Sequence, residues 1–404
     1  MAWDLPLWIL TGVGVLAFGA SCAAVAMAFR FRRQVRGTAI WNRGAFLPRV
    51  LVLVPCRGTD PGLEEDLTAI ASQTYPSYRI VFCVDSLGDR TVPVIERVRS
   101  TERTPSGIAV AADIPGLGGK SLALLGGLRE RTPSDEVVAF LDSDIRPAPD
   151  FLRALVQPLA LPTVGATTGY RWYAPVRGGL WSAVRSAWNA AGLNIFFSTR
   201  YNFLWGGAWA IRKENLDRLD LPILWRGTLS EDLAVTADVK RTGLMVQFVP
   251  RAVAPTFEDC DRRECREWTD RQTAMVAVWA HHIRNFAALT YGVFDGAFLL
   301  GLVCIALAGI AGDAFLIPAA LFLFDVPVAV VNGVLRRRAV FGASPGLASS
   351  WRVSPGTWAL ANLIVPWLIA GNLLRTRHVT RIEWRGKAYV LEGNRLQLTG
   401  HQKR

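Results

Sequence analysis

The chain begins with a long uncharged stretch. Residues 5–29 are mainly apolar, and a stretch of this length can cross the hydrocarbon core of a bilayer. Asp4 precedes it and the basic segment RFRRQVR follows it. Cleaved signal peptides carry their positive charges before a shorter apolar core, so this order is typical of a membrane anchor. Because basic residues stay on the cytoplasmic side, residues 1–30 are predicted to cross once, with the N-terminus outside.

The pattern changes between residues 48 and 260, where short apolar runs alternate with helical stretches. Four runs rich in Val and Ile are predicted to be buried strands, at residues 50–56, 78–85, 108–112 and 136–144. Between these runs, residues 63–73 and 120–130 have apolar residues at helical spacing and charged residues on the other face. This alternation predicts an α/β domain with a largely parallel sheet over residues 45–265. In such folds ligands bind at the carboxyl ends of the strands.

Apolar stretches return in the C-terminal region, residues 291–376. Residues 292–311 and 314–334 predict two membrane spans joined by a Gly-Asp turn. A third stretch, residues 357–374, contains two asparagines and a proline. If it crossed, the basic tail at 377–404 would lie outside, against the positive-inside rule. We therefore favour an interfacial or re-entrant segment with a cytoplasmic tail, and a third span remains the alternative.

Two Trp-rich stretches punctuated by arginine lie outside the predicted spans. They cover residues 181–197 and 268–279, and the second belongs to a predicted interfacial amphipathic helix over 266–290. Tryptophan and arginine favour the headgroup layer, where one side is apolar and the other wet. These helices are predicted to surround a site that accepts a lipid.

The composition agrees with a soluble domain joined to a few spans. Of 404 residues, 51% are hydrophobic and 19% charged, and the net charge is +12. The basic residues gather beside apolar segments, at 30–36 and 336–338, where they orient a membrane protein. Nucleic-acid binding is therefore not predicted. The six cysteines lack the spacing of a zinc site, and the Arg- and Ala-rich composition favours a bacterial inner membrane.

Carboxylates follow two of the predicted strands. Asp142 and Asp144 close the strand at 136–144, and burying them unneutralised would cost several kcal/mol. Mg²⁺ or Mn²⁺ bound by both, together with two phosphates of a nucleotide, would neutralise them. The alternative is a strand end whose aspartates cap the next segment. Asp85 is predicted beside this site, contacting a base or ribose, and Asp89 is near enough to replace it.

Basic residues complete the predicted donor side. Lys120 follows a glycine-rich turn and is predicted to lie near a diphosphate, and Arg57 follows the first strand, where it can contact a ligand. A basic, aromatic cluster precedes the membrane region and comprises Trp268, Arg266, Arg271 and Gln272 among its members. It is either a solvated interfacial face or the group that binds the departing diphosphate.

An acidic pair begins the amphipathic segment TLSEDLAVTADVKRTG. Glu231 and Asp232 follow Ser230, which is the pattern of an ordinary helix N-terminus. The functional hypothesis makes Asp232 the general base that takes the proton from an acceptor hydroxyl. Taken alone, the sequence of this segment favours the ordinary helix N-terminus.

Five segments in this order resemble the ceramide glucosyltransferase branch of the membrane-bound family 2-type glycosyltransferases. They are RGTDPGLEEDL with YPSYRIVFCVD, GLGGKSLALLGGL, FLDSDIRPAPDFL, WGGAWAIRKE with LSEDLAVTADVKRTG, and RIEWRGKAYVL. The resemblance implies a GT-A fold, a UDP-sugar donor, a divalent metal and inversion by a single displacement. It implies that Asp85 lies at the nucleotide, that Asp142 lies near donor and metal with Asp144 in support, and that Asp232 is the base.

The sequence departs from that branch at its basic Trp motif, where the two basic positions are Glu264 and Glu267. Arg263, Arg266 or the pair Arg271 and Gln272 can serve in their place. Transfer to another lipid (a hopanoid, diacylglycerol or polyprenyl phosphate) and processive polysaccharide synthesis remain alternatives. A non-catalytic scaffold is a further reading, which the retained aspartates disfavour.

Overall fold

The computed structural model describes residues 3–37, 46–384, 387–392 and 395–401. Its strands are β1 (Val50–Cys56), β2 (Tyr78–Val84), β3 (Ser106–Val110), β4 (Val137–Leu141), β5 (Val164–Tyr173), β6 (Ala208–Arg212), β7 (Met245–Thr256), β8 (Arg381–Trp384), β9 (Lys387–Glu392) and β10 (Arg395–His401). The helices up to the end of the α/β domain are α1 (Asp4–Gly37), α2 (Leu63–Ala71), α3 (Val92–Thr101), α4 (Gly119–Leu128), α5 (Phe151–Val156), α6 (Leu180–Ala191), α7 (Lys213–Leu216), α8 (Leu221–Leu224) and α9 (Glu231–Arg241). The later helices are α10 (Arg262–Trp279), α11 (His281–Ala311), α12 (Leu316–Leu323), α13 (Asp325–Ala343), α14 (Pro345–Ser349) and α15 (Pro355–Arg375).

Seven strands form the central sheet, in the order β3-β2-β1-β4-β6-β5-β7. β6 runs antiparallel to both of its neighbours, and the other pairs are parallel. The four strands predicted from the apolar runs are β1 to β4, and the two predicted helices are α2 and α4. The predicted α/β class and the GT-A fold implied by the resemblance are therefore confirmed.

The sheet is buried on both faces because its strands carry apolar residues at successive positions. In β1, Val50, Val52 and Val54 pack with α2 and α5, whereas Leu51 and Leu53 point to the opposite face and pack with α4. Fully covered parallel strands have continuous apolar sequences of this kind. Asp85 and Asp142 directly follow β2 and β4, so these carboxylates lie at the strand ends, where the site forms.

Three long apolar helical segments extend from one side of the domain. Their near ends contact it: Phe31 of α1 packs on Phe197, and Phe341 of α13 packs on Trp172 of β5, with ring centroids 5.1 and 5.8 Å apart. At the far ends Trp3 meets Phe315, 6.2 Å away, beside the turn between α11 and α12. The same side of the domain therefore carries all three segments, which are α1, α11 and α12–α13.

α15 has a different course, because both of its ends contact the domain. Just before it begins, Arg352 lies so close to Gly178 that a Cβ there would be 2.5 Å from the Arg352 carbonyl oxygen. Near its end, Asn372 accepts a hydrogen bond from Trp188 of α6 at 3.1 Å, and Arg375 pairs with Asp270 of α10 at 2.9 Å. α15 therefore lies along the domain. By length and composition it is nevertheless one of four described helices that can cross a membrane, the others being Asp4–Arg36, His281–Ala311 and Asp313–Ala343.

Two boundaries differ from the sequence prediction. The interfacial helix expected over 266–290 is divided at Ala280, whose φ of −139° ends α10, and α11 then continues into the apolar region. The expected tail at 377–404 contains the antiparallel sheet β8–β9–β10, which packs back on the domain. The predicted domain start at residue 45, the Arg385-Gly386 part of the WRG segment and residues 402–404 lie outside the described residues.

Candidate active site

A cavity of about 1170 Å³ begins at the carboxyl ends of the strands and continues between the long apolar helices. Its domain end is lined by most of the residues that the sequence singled out. They are Arg57, Asp85, Lys120, Asp142, Asp144, Glu231, Asp232, Trp268, Arg271 and Gln272. At its other end the lining comes from α1, α11, α13 and α15 and is mostly apolar. The structure thus joins a charged site and an apolar chamber in one space.

Asp142 and Asp144 share one arginine, Arg171 of β5. Its Nη2 atom donates to Asp142 at 2.9 Å and to Asp144 at 2.7 Å, and Nη1 donates to Asp144 at 2.8 Å. The guanidinium also lies over the ring of Trp205, 5.3 Å from its centroid. Both carboxylates therefore face the cavity and this arginine.

Lys120 joins Asp142 at the end of β4 to Glu231 at the start of α9. Its ammonium group lies 2.8 Å from Asp142 and 2.7 Å from Glu231, and donates to the carbonyl oxygen of Gly206 at 2.9 Å. Burial alone would lower the pKa of Lys120, but Asp142 and Glu231 outweigh it and raise that pKa above its ordinary value. The lysine therefore remains charged throughout the neutral range.

Asp232 is held by three donors that fix its carboxylate at the start of α9. The amide of Gly206 donates to Oδ2 at 2.7 Å, and the Ser230 hydroxyl and the Leu233 amide donate to Oδ1 at 2.5 and 2.8 Å. Ser230 precedes the helix but makes no side-chain cap bond, because its hydroxyl is used by Asp232. The acidic pair is therefore more than an ordinary helix N-terminus.

Glu231 is buried directly behind Asp232. Its side chain is only 3% exposed, and burial raises its carboxyl pKa to about 7, although Lys120 opposes the shift. The nearby charges of Asp232 and Asp142 act in the same direction as burial. The carboxyl of Glu231 is therefore expected to change its protonation near neutral pH.

Asp85 lies at the other edge of the charged site, at the end of β2. Its Oδ2 atom is 3.2 Å from Nη1 of Arg57 and 3.1 Å from Nζ of Lys387, which comes from β9. Asp89 has a structural task instead: its Oδ1 atom accepts hydrogen bonds from the Gly58 amide and from the amide and hydroxyl of Thr91. Asp85 rather than Asp89 therefore faces the cavity.

The members of the basic, aromatic cluster lie on two different faces of α10. Trp268, Arg271 and Gln272 recur at spacings of three and four residues and line the cavity, and Trp268 packs edge-on against Tyr173 at 5.1 Å. Arg266 is exposed on another face, outside the cavity lining, so the structure does not bring it to the site. Arg263 is also exposed and pairs with Glu267.

Two basic residues at the site were missed by the sequence reasoning. Arg171 is the one charged residue in the strand VGATTGYRWY, and a charge inside a buried strand was the available signal. Lys387 follows the WRG segment, but nothing in its local pattern indicates that it contacts Asp85, 302 positions earlier. Both were found only from the tertiary structure.

Comparisons with known proteins identify the family. A mannosyltransferase from Pyrobaculum calidifontis, solved with GDP-Man and Mn²⁺, aligns with 91% of this chain and 98% of its own, at 19% identity and a TM-score of 0.49. Glucosyl-3-phosphoglycerate synthase from Mycobacterium tuberculosis aligns with 57% of this chain and 78% of its own, at 17% identity and a TM-score of 0.39. A Bradyrhizobium elkanii protein named N-acetylglucosaminyltransferase is 33% identical over 129 residues, which are 31% of this chain and 68% of that protein. The sequence model of glycosyl transferase family 21 matches residues 15–396. The chain therefore belongs to glycosyl transferase family 21 and is a glycosyltransferase.

Proposed function

We propose that the protein transfers a single sugar from a UDP-sugar to the hydroxyl of a membrane lipid, with inversion at the anomeric carbon. The observation that carries this proposal is the continuous cavity, which has charged groups at the strand ends and an apolar chamber between α1, α11, α13 and α15. A hydrophilic donor enters at the first end, whereas a lipid enters from the bilayer at the second. The reacting groups then meet at Asp232, which lines the domain end of the cavity.

Asp232 is the proposed general base. Three hydrogen-bond donors hold its carboxylate, so it is oriented before the acceptor arrives. In a single in-line displacement the acceptor oxygen attacks the anomeric carbon as the bond to the diphosphate breaks, and Asp232 takes the hydroxyl proton. One base suffices and no covalent sugar intermediate is formed. Lys120 stabilises this arrangement through Gly206, whose amide and carbonyl contact Asp232 and Lys120 respectively.

The donor is proposed to bind at Asp85, Arg57, Lys120 and Asp142, with a divalent cation. Asp142 and Asp144 fit a Mg²⁺ or Mn²⁺ ion, because two carboxylates facing a cavity can share such an ion with two phosphates. Among the described residues, no group of three or more His, Cys, Asp or Glu side chains that could hold a metal ion is found. When bound, the ion would neutralise charge that develops on the diphosphate.

Arg271, Gln272 and Trp268 are proposed to act on the diphosphate and acceptor side. They line the cavity on α10, between the charged site and the membrane helices. Arg271 and Gln272 thus take the place of the family's basic Trp motif, whose basic positions are glutamate here. An arginine at this point would stabilise the negative charge of the leaving diphosphate.

Ceramide is the acceptor that the family resemblance favours, and the apolar chamber supports a lipid of any class. A hopanoid, diacylglycerol or polyprenyl phosphate would be distinguished from ceramide by assay. The donors to be tested are the UDP derivatives of glucose, galactose, glucuronic acid and N-acetylglucosamine, and the name of the Bradyrhizobium relative favours including the last of these. A processive polymer product is the remaining outcome that such an assay detects.

We also propose a multi-pass topology with the catalytic domain in the cytoplasm, in a bacterial inner membrane. α1, α11 and the α12–α13 segment are the spans, since they share near and far ends. α15 lies in the interface, because contacts at Gly178 and Trp188 hold both of its ends against the domain. Two crossings after the domain return the tail to the cytoplasm, where Lys387 meets Asp85.

The base assignment is tested by Asp232→Asn in the full-length protein. The amide keeps the shape of the side chain but cannot take a proton, so UDP binding should remain close to wild type while sugar transfer is lost. Binding is measured by calorimetry with UDP and Mn²⁺, and transfer by mass spectrometry of the lipid. Full transfer activity in this variant would refute the role of Asp232.

A further inference from the structure

The C-terminal sheet forms one side of the charged site. Trp384 of β8 and Tyr389 of β9 line the cavity beside Asp85, and the Tyr389 hydroxyl accepts a hydrogen bond from the Gly119 amide at 3.4 Å. Lys387 lies between these two aromatic residues in the sequence, and its ammonium contacts Asp85. Its ammonium is so close to Gly119 that a Cβ at that glycine would be 3.0 Å from Nζ. The sheet thus brings a lysine to the turn that precedes α4, at the strand ends.

Lys387 has fewer carboxylate partners at this site than Lys120 or Arg171 has. Lys120 is paired with both Asp142 and Glu231, and Arg171 with both Asp142 and Asp144. Lys387 instead shares a single carboxylate oxygen, Oδ2 of Asp85, with Arg57. Because Arg57 would still neutralise Asp85, the ammonium can turn to a new anion without leaving a carboxylate unpaired.

The location of Lys387 indicates which anion it would meet. Its side chain is 16% exposed. Lys387 does not itself line the cavity, but its ammonium meets Asp85 and Gly119, which line the domain end. A UDP-sugar bound with its nucleoside at Asp85 must carry its diphosphate from there towards Asp142. Lys387 and the Gly119 turn lie at the beginning of that path, and a lysine ammonium is a common phosphate ligand in proteins.

We propose that Lys387 binds the diphosphate of the donor and that the C-terminal sheet is a wall of the donor site. This inference rests on the proposed UDP-sugar donor. Lys387 is therefore a donor-binding residue supplied by a segment that follows the membrane region. It adds positive charge to a site in a chain that has glutamate at both basic positions of the family's Trp motif.

The test compares UDP and uridine binding by calorimetry in purified full-length protein, with Mg²⁺ present. Lys387→Met removes the charge and keeps the length of the side chain, and it should weaken UDP binding by about tenfold or more, as for loss of a charge-assisted hydrogen bond. Uridine has no phosphate, so its affinity should be unchanged. Lys387→Arg should retain most of the UDP affinity. The matched control is Lys213→Met, at the opposite end of β4 and β6, where the lysine contacts the Pro133 carbonyl.

The outcomes separate this inference from the proposal on which it rests. Wild-type UDP affinity in a folded Lys387→Met protein would overturn it. Equal losses for UDP and uridine would also overturn it, because they would make Lys387 a positioning residue for Asp85. If the wild-type protein binds no UDP, the proposed donor is wrong and the inference fails with it.

Discussion

The charge balance at the donor site depends on Arg171, and its removal gives the sharpest structural prediction. Arg171→Ala would leave two carboxylates without the guanidinium that now bonds to both. Removing one partner of a buried ion pair costs about 3–5 kcal/mol. The side chains of Asp142 and Asp144 are 23% and 24% exposed, so water relieves part of that cost. We therefore expect the lower end of the range, about 3 kcal/mol.

The assay is thermal unfolding of the domain in detergent, with and without Mn²⁺ and UDP. For a domain of this size, 1 kcal/mol moves the midpoint by about 2–4 °C, so the variant should melt about 6–12 °C lower than wild type without metal. Mn²⁺ with UDP should raise the midpoint of the variant more than that of the wild type, because the metal then neutralises the same carboxylates. Arg171→Lys, which keeps the charge, should lie between the two.

Arg263→Ala is the matched control. Arg263 also pairs with a carboxylate, Glu267, but the pair is exposed on α10 and should contribute nothing measurable. Its midpoint should equal that of the wild type under all conditions. Two results would refute the assignment of Asp142 and Asp144 as carboxylates that need neutralisation. One is an Arg171→Ala protein with the wild-type unfolding midpoint. The other is a rise of its midpoint on adding Mn²⁺ and UDP that is no larger than the rise of the wild type.

Two further predictions concern pH and topology. Burial raises the pKa of Glu231 to about 7 in the folded state, above its unfolded value, so its contribution to stability is full below about pH 4.5 and is lost as the pH rises to about 7. Glu231→Gln should remove this fall in stability from a plot of the unfolding midpoint against pH. Parallel curves for the variant and the wild type would contradict the prediction. A protease-cleavable tag after Arg404 should be cut in inverted membrane vesicles and protected in spheroplasts, because we propose that α15 does not cross the membrane. Cutting in spheroplasts alone would make α15 a span.

The strand ends were predictable from local sequence, because fully buried strands have continuous apolar runs. Asp85 and Asp142 follow β2 and β4 directly, and parallel strands bring their carboxyl ends to the same edge of a sheet. The fold class and the main carboxylates of the candidate site could therefore be inferred before any tertiary contact was known.

The remaining features depend on contacts between distant parts of the chain. Arg171 and Lys387 reach the site through sheet pairing and packing that no local period encodes. The exclusion of Arg266 from the cavity depends on the rotational position of α10, which is fixed only when the helix packs. Composition likewise cannot distinguish a helix that crosses from one that lies along a domain. For α15, the proposal that it does not cross rests on the contacts of Asn372 and Arg375 with α6 and α10.

The central claim, sugar transfer from a UDP-sugar to a lipid hydroxyl, is tested most directly with purified protein, Mg²⁺ or Mn²⁺ and a panel of UDP-sugars. UDP release is followed with ceramide, diacylglycerol and a hopanoid, and without lipid, and the lipids are then analysed by mass spectrometry. The account predicts lipid-dependent UDP release and a product that carries one sugar, with ceramide as the first expected acceptor. Polymeric products, or a folded protein that neither binds UDP nor releases it with any donor and lipid, would contradict the account.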